Sequence, residues 1–209
     1  MNVFKKLVLV SAISLCFAPL SYAEMSIEIT EGVESATPIA IVPFASQGAP
    51  LDLNSVVSSD LARSGYFKPL SPQNMPSRPS TADEIRFPEW RGLGQNYIVI
   101  GRVQSNGAQY NIEFELFDVA KGESLLGYRM SSSTADLRKT AHHISDLIYE
   151  RLMGKKGVFS GRIAYITSTR QGTQSTHQLM VADADGANAK AIAISPEPLM
   201  SPAWSPDAA

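Results

Sequence analysis

The sequence predicts an N-terminal α/β domain, in which two main helices pack on a mixed sheet, followed by an all-β segment. Two observations predict this fold class. The predicted elements run in the order strand, helix, three strands and helix, which is typical of helices packed on a sheet. After Gly154 helical periodicity ends and only strand-like runs remain. The 209 residues, 44% hydrophobic and 18% charged, are enough for one such domain and a smaller part.

The first 23 residues have the pattern of a secretory signal peptide. Lys5 and Lys6 precede an apolar run, and Ser21 and Ala23 place small residues before a cut between Ala23 and Glu24. The apolar run is shorter than the ~20 residues that a membrane span needs. We therefore expect an exported chain that starts at Glu24 and is not inserted in the membrane after processing. The alternative is a retained N-terminal anchor.

Charge and cysteine content exclude several classes of function. The formal net charge is −2, so no strong positive field attracts nucleic acid. The single cysteine, Cys16, lies within the predicted leader. We therefore expect a mature chain without disulfides, thiol chemistry or cysteine-ligated metals, held together by core burial.

The start of the predicted mature chain has the alternation of an extended strand. From Glu24 to Val33 apolar and polar residues alternate. No basic residue occurs between Glu24 and Arg63. An acidic strand at a chain terminus can pair with the exposed sheet edge of a partner protein. The alternative is an edge strand of the chain's own sheet, and both hold if the segment switches between docked and undocked states.

The next segments predict a buried strand, a helix and an irregular stretch. The apolar run 39–42 is bounded by prolines and predicts the strand. Apolar residues recur on one face between Asp52 and Gly65, which predicts a helix ending at that glycine. Five prolines between Pro69 and Pro88 exclude one regular element, although a short helical turn is expected over 89–93.

An antiparallel meander and a second helix complete the predicted α/β domain. The strands are expected at 97–103, 110–119 and 125–131, joined by turn sequences at 105–107 and 121–122. Ser133 to Asp136 resembles a capping box that opens a helix reaching Gly154. Beyond it, strands are expected at 162–168, 177–182 and 190–194, with a turn at 183–186 between the last two.

No pattern predicts a catalytic residue, a cofactor site or a metal site. Gly92-Leu93-Gly94 lacks the third glycine of a nucleotide-binding loop, and neither a P-loop nor a nucleophile elbow occurs. His142 and Asp146 could supply two metal ligands, but no third is evident, and we expect a solvated or helix-packing histidine. Asp183 to Gly186 lacks the closing glutamate of a calcium loop, so a hairpin turn is expected. Glu113 and Glu115 lie on one strand face and are interpreted as its solvated side.

Several motifs resemble one family. Residues 160–165, 179–186 and 195–207 closely resemble the first propeller blade of the TolB family, the periplasmic component of the Tol-Pal system of Gram-negative bacteria. Residues 27–33, 38–44 and 60–65 resemble the N-terminal α/β domain of the same family. The resemblance implies a leader at 1–23, a partner-binding strand at 24–33, an α/β domain at 34–154, and a linker with one incomplete propeller blade at 155–209.

The resemblance implies a non-catalytic adaptor that links inner-membrane TolA to outer-membrane Pal and supports envelope integrity and constriction during division. In the family the extreme N-terminal strand binds the C-terminal domain of TolA, and the propeller binds Pal. The implied TolA-binding residues are Glu24, Met25, Ser26, Ile27, Glu28, Ile29, Thr30, Glu31, Gly32 and Val33.

The all-β segment is short for a propeller, which needs roughly 4–8 blades of ~40 residues. Residues 160–209 correspond to one blade, so we interpret the chain as a truncated form and expect weak order after about Gly157 in a monomer. Two alternatives stay open. The chain could be the leading part of a secreted propeller-linked peptidase, or a periplasmic domain that binds a ligand or activates an enzyme.

Overall fold

The computed structural model describes residues 36–46 and 48–205. The predicted leader, the cleavage site and the partner-binding strand from Glu24 to Val33 lie outside the described residues, and so do the last four residues.

The first part of the described chain forms a six-stranded mixed sheet. Its strands are β1 (Thr37–Ile41), β2 (Ala45–Ser46), β3 (Phe67–Pro69), β4 (Tyr97–Asn106), β5 (Gln109–Asp118) and β6 (Glu123–Ser133). The order is β3-β1-β4-β5-β6, with β2 also paired to β4. β1 runs parallel to β3 and β4, whereas β4, β5 and β6 form an antiparallel meander. The predicted mixed sheet and the predicted meander are therefore confirmed.

In the described part of the chain three α-helices accompany the sheet: α1 (Leu53–Arg63), α2 (Phe87–Gly92) and α3 (Leu137–Met153). The irregular proline-containing stretch carries two 3-10 turns, Pro72–Asn74 and Ala82–Glu84. Gly154 ends α3 in the left-handed conformation, with φ 68°, as its sequence position predicts.

The start of α3 differs from the prediction. Ser133 and Asp136 do hydrogen-bond, but they close a turn after β6, and the helix begins only at Leu137.

Both faces of the six-stranded sheet are covered. α1 and α3 pack on one face, against a cluster that includes Ile39 and Val99. The opposite face carries a second cluster around the fully buried Trp90 of α2, with Ala40 and Ile98. Successive residues of β1 and β4 enter opposite clusters because strand side chains alternate between faces. This arrangement explains why residues 39–42 are continuously apolar.

The last part of the described chain forms a separate antiparallel sheet of three strands. They are β7 (Arg162–Gln171), β8 (Gln174–Asp183) and β9 (Lys190–Ser195), paired in that order. β7 and β8 are longer than predicted because their ladder continues through polar residues to a turn at Gly172. Ile192 and Ile194 of β9 stay 61% and 66% exposed, so this sheet is not covered on every side. Within the described residues these strands begin a propeller-like sheet without closing it.

No helix among residues 36–46 and 48–205 combines the length and apolar character required to cross a lipid bilayer.

Candidate functional site at the contact between the two sheets

The predicted TolA-binding residues, Glu24 to Val33, lie outside the described residues, so their role stays a prediction. The described chain enters the six-stranded sheet at β1, which lies between the edge strand β3 and β4. The Thr37 amide donates a hydrogen bond of 2.9 Å to the carbonyl of Tyr66. The Tyr66 ring contacts that of Tyr149 on α3 edge to face, with ring centroids 5.9 Å apart. The described chain therefore begins beside the surface of α3 that faces the three-stranded sheet.

A cleft of about 510 Å³ lies between α1, α3 and the start of β7. The rings of Tyr149 and Phe159 meet edge to face in its wall, with centroids 5.6 Å apart. Val158 stands at this cleft and is 77% exposed. Arg63 of α1 and Arg162 of β7 also line it. The contact between the two sheets is thus an apolar groove with cationic side chains in its walls.

Asp146 of α3 holds the segment that leads into β7. Its Oδ1 accepts a hydrogen bond of 2.8 Å from the Phe159 amide, and its Oδ2 accepts one of 3.1 Å from the Ser160 amide. The Ser160 hydroxyl donates to the same Oδ2. Asp146 therefore does not join His142 in a ligand pair, as one sequence interpretation had it, because its carboxylate is occupied by this loop.

His142 is buried, as the helix-packing interpretation predicts, and its side chain is only 2% exposed. Its Nδ1 lies 2.7 Å from Oδ2 of Asp60, which belongs to α1. The same oxygen accepts a hydrogen bond of 2.8 Å from the Ser145 hydroxyl, and Arg63 donates to the other oxygen at 2.6 Å. Asp60 is fully buried, so these three donors supply the bonds that a buried carboxylate requires.

The other nitrogen of His142 faces the three-stranded sheet. Its Nε2 lies 3.6 Å from Oδ2 of Asp185, in the turn that joins β8 to β9. Arg138 of α3 donates to the same oxygen, and the Ala187 amide donates to Oδ1 at 2.9 Å. Burial raises the pKa of the Asp185 carboxyl, but the Ala187 amide and Arg138 outweigh it, so that the pKa lies below its ordinary value.

One group among the described residues has the composition of a metal site. Ligand atoms of His142, Asp183 and Asp185 lie within 4.8 Å of one another. However, the Arg138 guanidinium already bonds to Asp185, and the Asn188 amide donates to Asp183 at 2.6 Å. A divalent cation would have to displace a cation that is already in place. We therefore assign no metal to this group.

Sequence reasoning missed that these residues meet. The turn predicted over 183–186 is present. The Asp185 side chain also forms an ion pair with Arg138 of α3, which the turn prediction did not include. A signal for Asp60 was available. It follows Val56 by four residues and Val57 by three, and so belongs to the apolar face of α1, where an acid needs a partner. Nothing in the sequence identified that partner as His142, which lies 82 positions away.

Glu113 and Glu115 lie on the same face of β5, as predicted, and both are half-buried. Glu113 forms ion pairs with Arg102 of β4 and Arg129 of β6. The hydrogen bond from Arg102 is the main cause that holds the Glu113 pKa below its ordinary value, and it outweighs the opposing effect of burial. A carboxylate held ionised between two guanidinium groups suits cross-strand pairing better than proton transfer.

Comparison with known families matches both parts of the chain. The model of the TolB amino-terminal domain matches residues 25–125. The model of the TolB beta propeller domain matches residues 149–209. Both sheets described above lie largely within these matches.

Curated relatives carry the same family name. The Tol-Pal system protein TolB of Nitrosococcus oceani is 48% identical over 197 residues, covering 92% of this chain and 45% of the relative. That of Thioalkalivibrio sulfidiphilus is 43% identical over 198 residues, covering 92% of this chain and 46% of the relative. The chain therefore spans about half the length of the curated relatives it matches.

A solved structure agrees with the sequence comparison. The crystal structure of TolB from Acinetobacter baumannii superposes with a TM-score of 0.76 at 35% identity, covering 87% of this chain and 44% of that one. An α/β domain with the TolB amino-terminal pattern is thus followed by strands with the TolB propeller pattern, in the same order as in the relatives. On these grounds the chain belongs to the TolB family of Tol-Pal system proteins.

Proposed function

We propose that this chain acts in the periplasm as a non-catalytic adaptor of the Tol-Pal system. In this role it links inner-membrane TolA to outer-membrane Pal, and so supports outer-membrane integrity and constriction during cell division. The observation that carries the proposal is the match of both parts of the chain, in order, to the two TolB domains. The chain spans about half of its relatives, so the role of the whole protein is part of the proposal.

The domain organisation of the proposal is a leader at 1–23, a partner-binding strand at 24–33, an α/β domain at 34–154, and a linker with one propeller blade at 155–209. Two structural features support the last boundary. The final helix ends at Met153, and the next regular element is a strand that starts at Arg162.

The TolA-binding role is assigned to Glu24–Val33. An extended peptide binds a sheet edge through its backbone, while alternate side chains enter pockets on one face. Alternating apolar and polar residues in this segment suit that mode, and Met25, Ile27 and Ile29 would share one face.

Pal binding is assigned to the propeller, of which residues 155–209 supply a part. The proposal includes no catalytic residue, cofactor or metal. In the described part of the chain, the buried carboxylate of Asp60 and the paired carboxylate of Glu113 are both held by structural hydrogen bonds. These contacts support an architectural role for the two acids.

Calorimetric titration with the C-terminal domain of TolA tests the assignment of the strand. Deletion of residues 24–33 should abolish binding and leave the circular dichroism spectrum of the folded part unchanged. Ile27→Asp should weaken binding at least tenfold, because it places a charge on the apolar face of the strand. Ser26→Asp, on the opposite face, is the matched control and should bind nearly as wild type. Unchanged affinity after the deletion would remove the assignment.

A pull-down from envelope extract separates this function from the alternatives. Recovery of TolA or Pal is expected under the proposal. Recovery of a processed peptide instead would favour a propeller-linked peptidase, and recovery of a cell-wall synthase would favour an enzyme-activating domain.

A further inference from the structure

We propose that His142, placed between Asp60 and Asp185, is a proton-operated bridge between the α/β sheet and the three-stranded sheet. When the imidazole is doubly protonated it donates to both carboxylates. When it loses one proton it keeps the bond to Asp60 and releases Asp185. This histidine bridge, defined as His142 with Asp60 and Asp185, is independent of which partners the protein binds.

The distances define the two states. Nδ1 of His142 lies 2.7 Å from Asp60, a full hydrogen bond, whereas Nε2 lies 3.6 Å from Asp185 and has no hydrogen-bond partner among the described residues. A neutral imidazole carries one N–H, which the shorter contact occupies. Its other nitrogen then presents a lone pair to a carboxylate, which is an unfavourable contact. A second proton turns the same contact into a charge-assisted hydrogen bond.

The surrounding charges favour that second proton. The charged and polar groups that face His142 come from α1, from α3 and from the turn between β8 and β9. They are Asp60, Arg63, Arg138, Ser145, Asp183 and Asp185. Three of these groups are carboxylates and two are guanidinium groups, so a neutral His142 leaves one negative charge unbalanced. Protonation of His142 makes the group neutral, which matters because the His142 and Asp60 side chains are 2% and 1% exposed.

The direction of the pH dependence follows from these charges. The bridge is complete at a pH low enough to protonate the imidazole and high enough to keep the carboxylates ionised. The Asp185 carboxyl stays ionised well below pH 7, because its pKa lies below the ordinary value. The contact between α3 and the turn at 183–187 therefore strengthens as the pH falls and the imidazole gains its second proton.

Solution NMR of the full chain tests this inference directly. We expect the His142 ring nitrogens to show a single Nδ1–H tautomer at the high-pH end of a titration and an imidazolium at its low-pH end. We also expect the backbone amides of residues 184–187 to shift with the same midpoint as the ring. His142→Gln should remove that shift of the turn amides, because glutamine does not titrate.

His143 provides a matched control on the same helix, because it is the exposed neighbour of His142. His143→Gln should leave the titration of the turn unchanged. Asp185→Asn changes the turn and should also abolish the coupled shift while the His142 ring stays bonded to Asp60. In the double variant, His142→Gln should add nothing further to the pH response of the turn.

Two results would overturn the inference. One is a pH shift of the turn amides that persists in His142→Gln, because another group would then cause it. The other concerns metal binding. If Zn²⁺ added to chelator-treated protein shifts the His142 and Asp185 resonances at micromolar concentration, and Arg138→Gln strengthens the effect, the group is a metal site instead.

Discussion

Gly157 lies against Asp146 so closely that a Cβ atom at position 157 would come within 2.7 Å of the Asp146 Cα. The glycine thus lets the loop after α3 approach near enough for Asp146 to accept the amide hydrogen bonds of Phe159 and Ser160. The close approach sets how the three-stranded sheet joins α3.

Gly157→Ala should therefore destabilise the contact between α3 and the loop. We expect a loss of about 1–3 kcal/mol in the free energy of unfolding, the usual cost of a side chain forced into filled space. Urea unfolding measures it. Gly92→Ala is the control, because nothing lies within 4 Å of a Cβ at that position, and it should be neutral or slightly stabilising. Equal stability of Gly157→Ala and wild type would mean that the loop relaxes without cost.

Asp146→Ala should release the same loop by removing its acceptor. We expect a destabilisation of about 1–3 kcal/mol, since the Phe159 and Ser160 amides lose their carboxylate partner. Glu150→Ala, one turn later on the exposed side of α3, should change the stability by less than about 0.5 kcal/mol. Hydrogen exchange of the Phe159 amide should be faster than wild type in Asp146→Ala and unchanged in Glu150→Ala.

Asp60→Ala should be among the most damaging single substitutions in α1. It leaves the buried His142 imidazole and the buried Ser145 hydroxyl, together with the half-exposed Arg63 guanidinium, without their shared acceptor, which costs about 3–5 kcal/mol. Asp52→Ala is the control on the same helix. Asp52 is the exposed N-cap residue but makes no side-chain capping bond, so its loss should cost less than about 0.5 kcal/mol. Comparable thermal midpoints of the two variants would contradict this ranking.

Glu113 should contribute to the loss of stability in acid. Its pKa is lowered in the folded state, chiefly by the hydrogen bond from Arg102, so folding favours its ionised form. The stabilisation is present above the ordinary glutamate pKa of about 4.3 and is lost as the pH falls further. Glu113→Gln should therefore flatten the decline of the unfolding free energy below about pH 4.5. Glu115→Gln, on the same strand face, is the control. In this variant the unfolding free energy should fall with pH more nearly as it does in the wild type.

Amide exchange along the three-stranded sheet tests the expectation of weak order after Gly157. β9 should exchange fastest, because within residues 36–46 and 48–205 it pairs only with β8 and its Ile192 and Ile194 side chains are largely exposed. The buried strands β1 and β4 supply the reference for strong protection. Strong protection across residues 160–200 in a monomer would show that this sheet is stable without further neighbours.

The regular elements could be predicted because their signals are local. Apolar periodicity locates α1 and α3, Gly154 marks where α3 ends, and turn sequences separate the strands of the meander. The helix start at Leu137 was less predictable. Ser133 to Asp136 has the residues of a capping box, and the competing pairing of Ser133 with Gln109 of β5 keeps that residue in β6.

The mixed sheet, the order of its elements and the family could all be predicted from the amino-acid sequence, because they depend on periodicity, turn chemistry and contiguous motifs. Which side chains meet across the two sheets became visible only in the folded molecule. Asp60, His142 and Asp185 are far apart in the chain, and each has an ordinary local explanation in its own element. Their contact exists only because α1 and α3 pack together and the turn after β8 closes over them, where burial makes each charge depend on its neighbours.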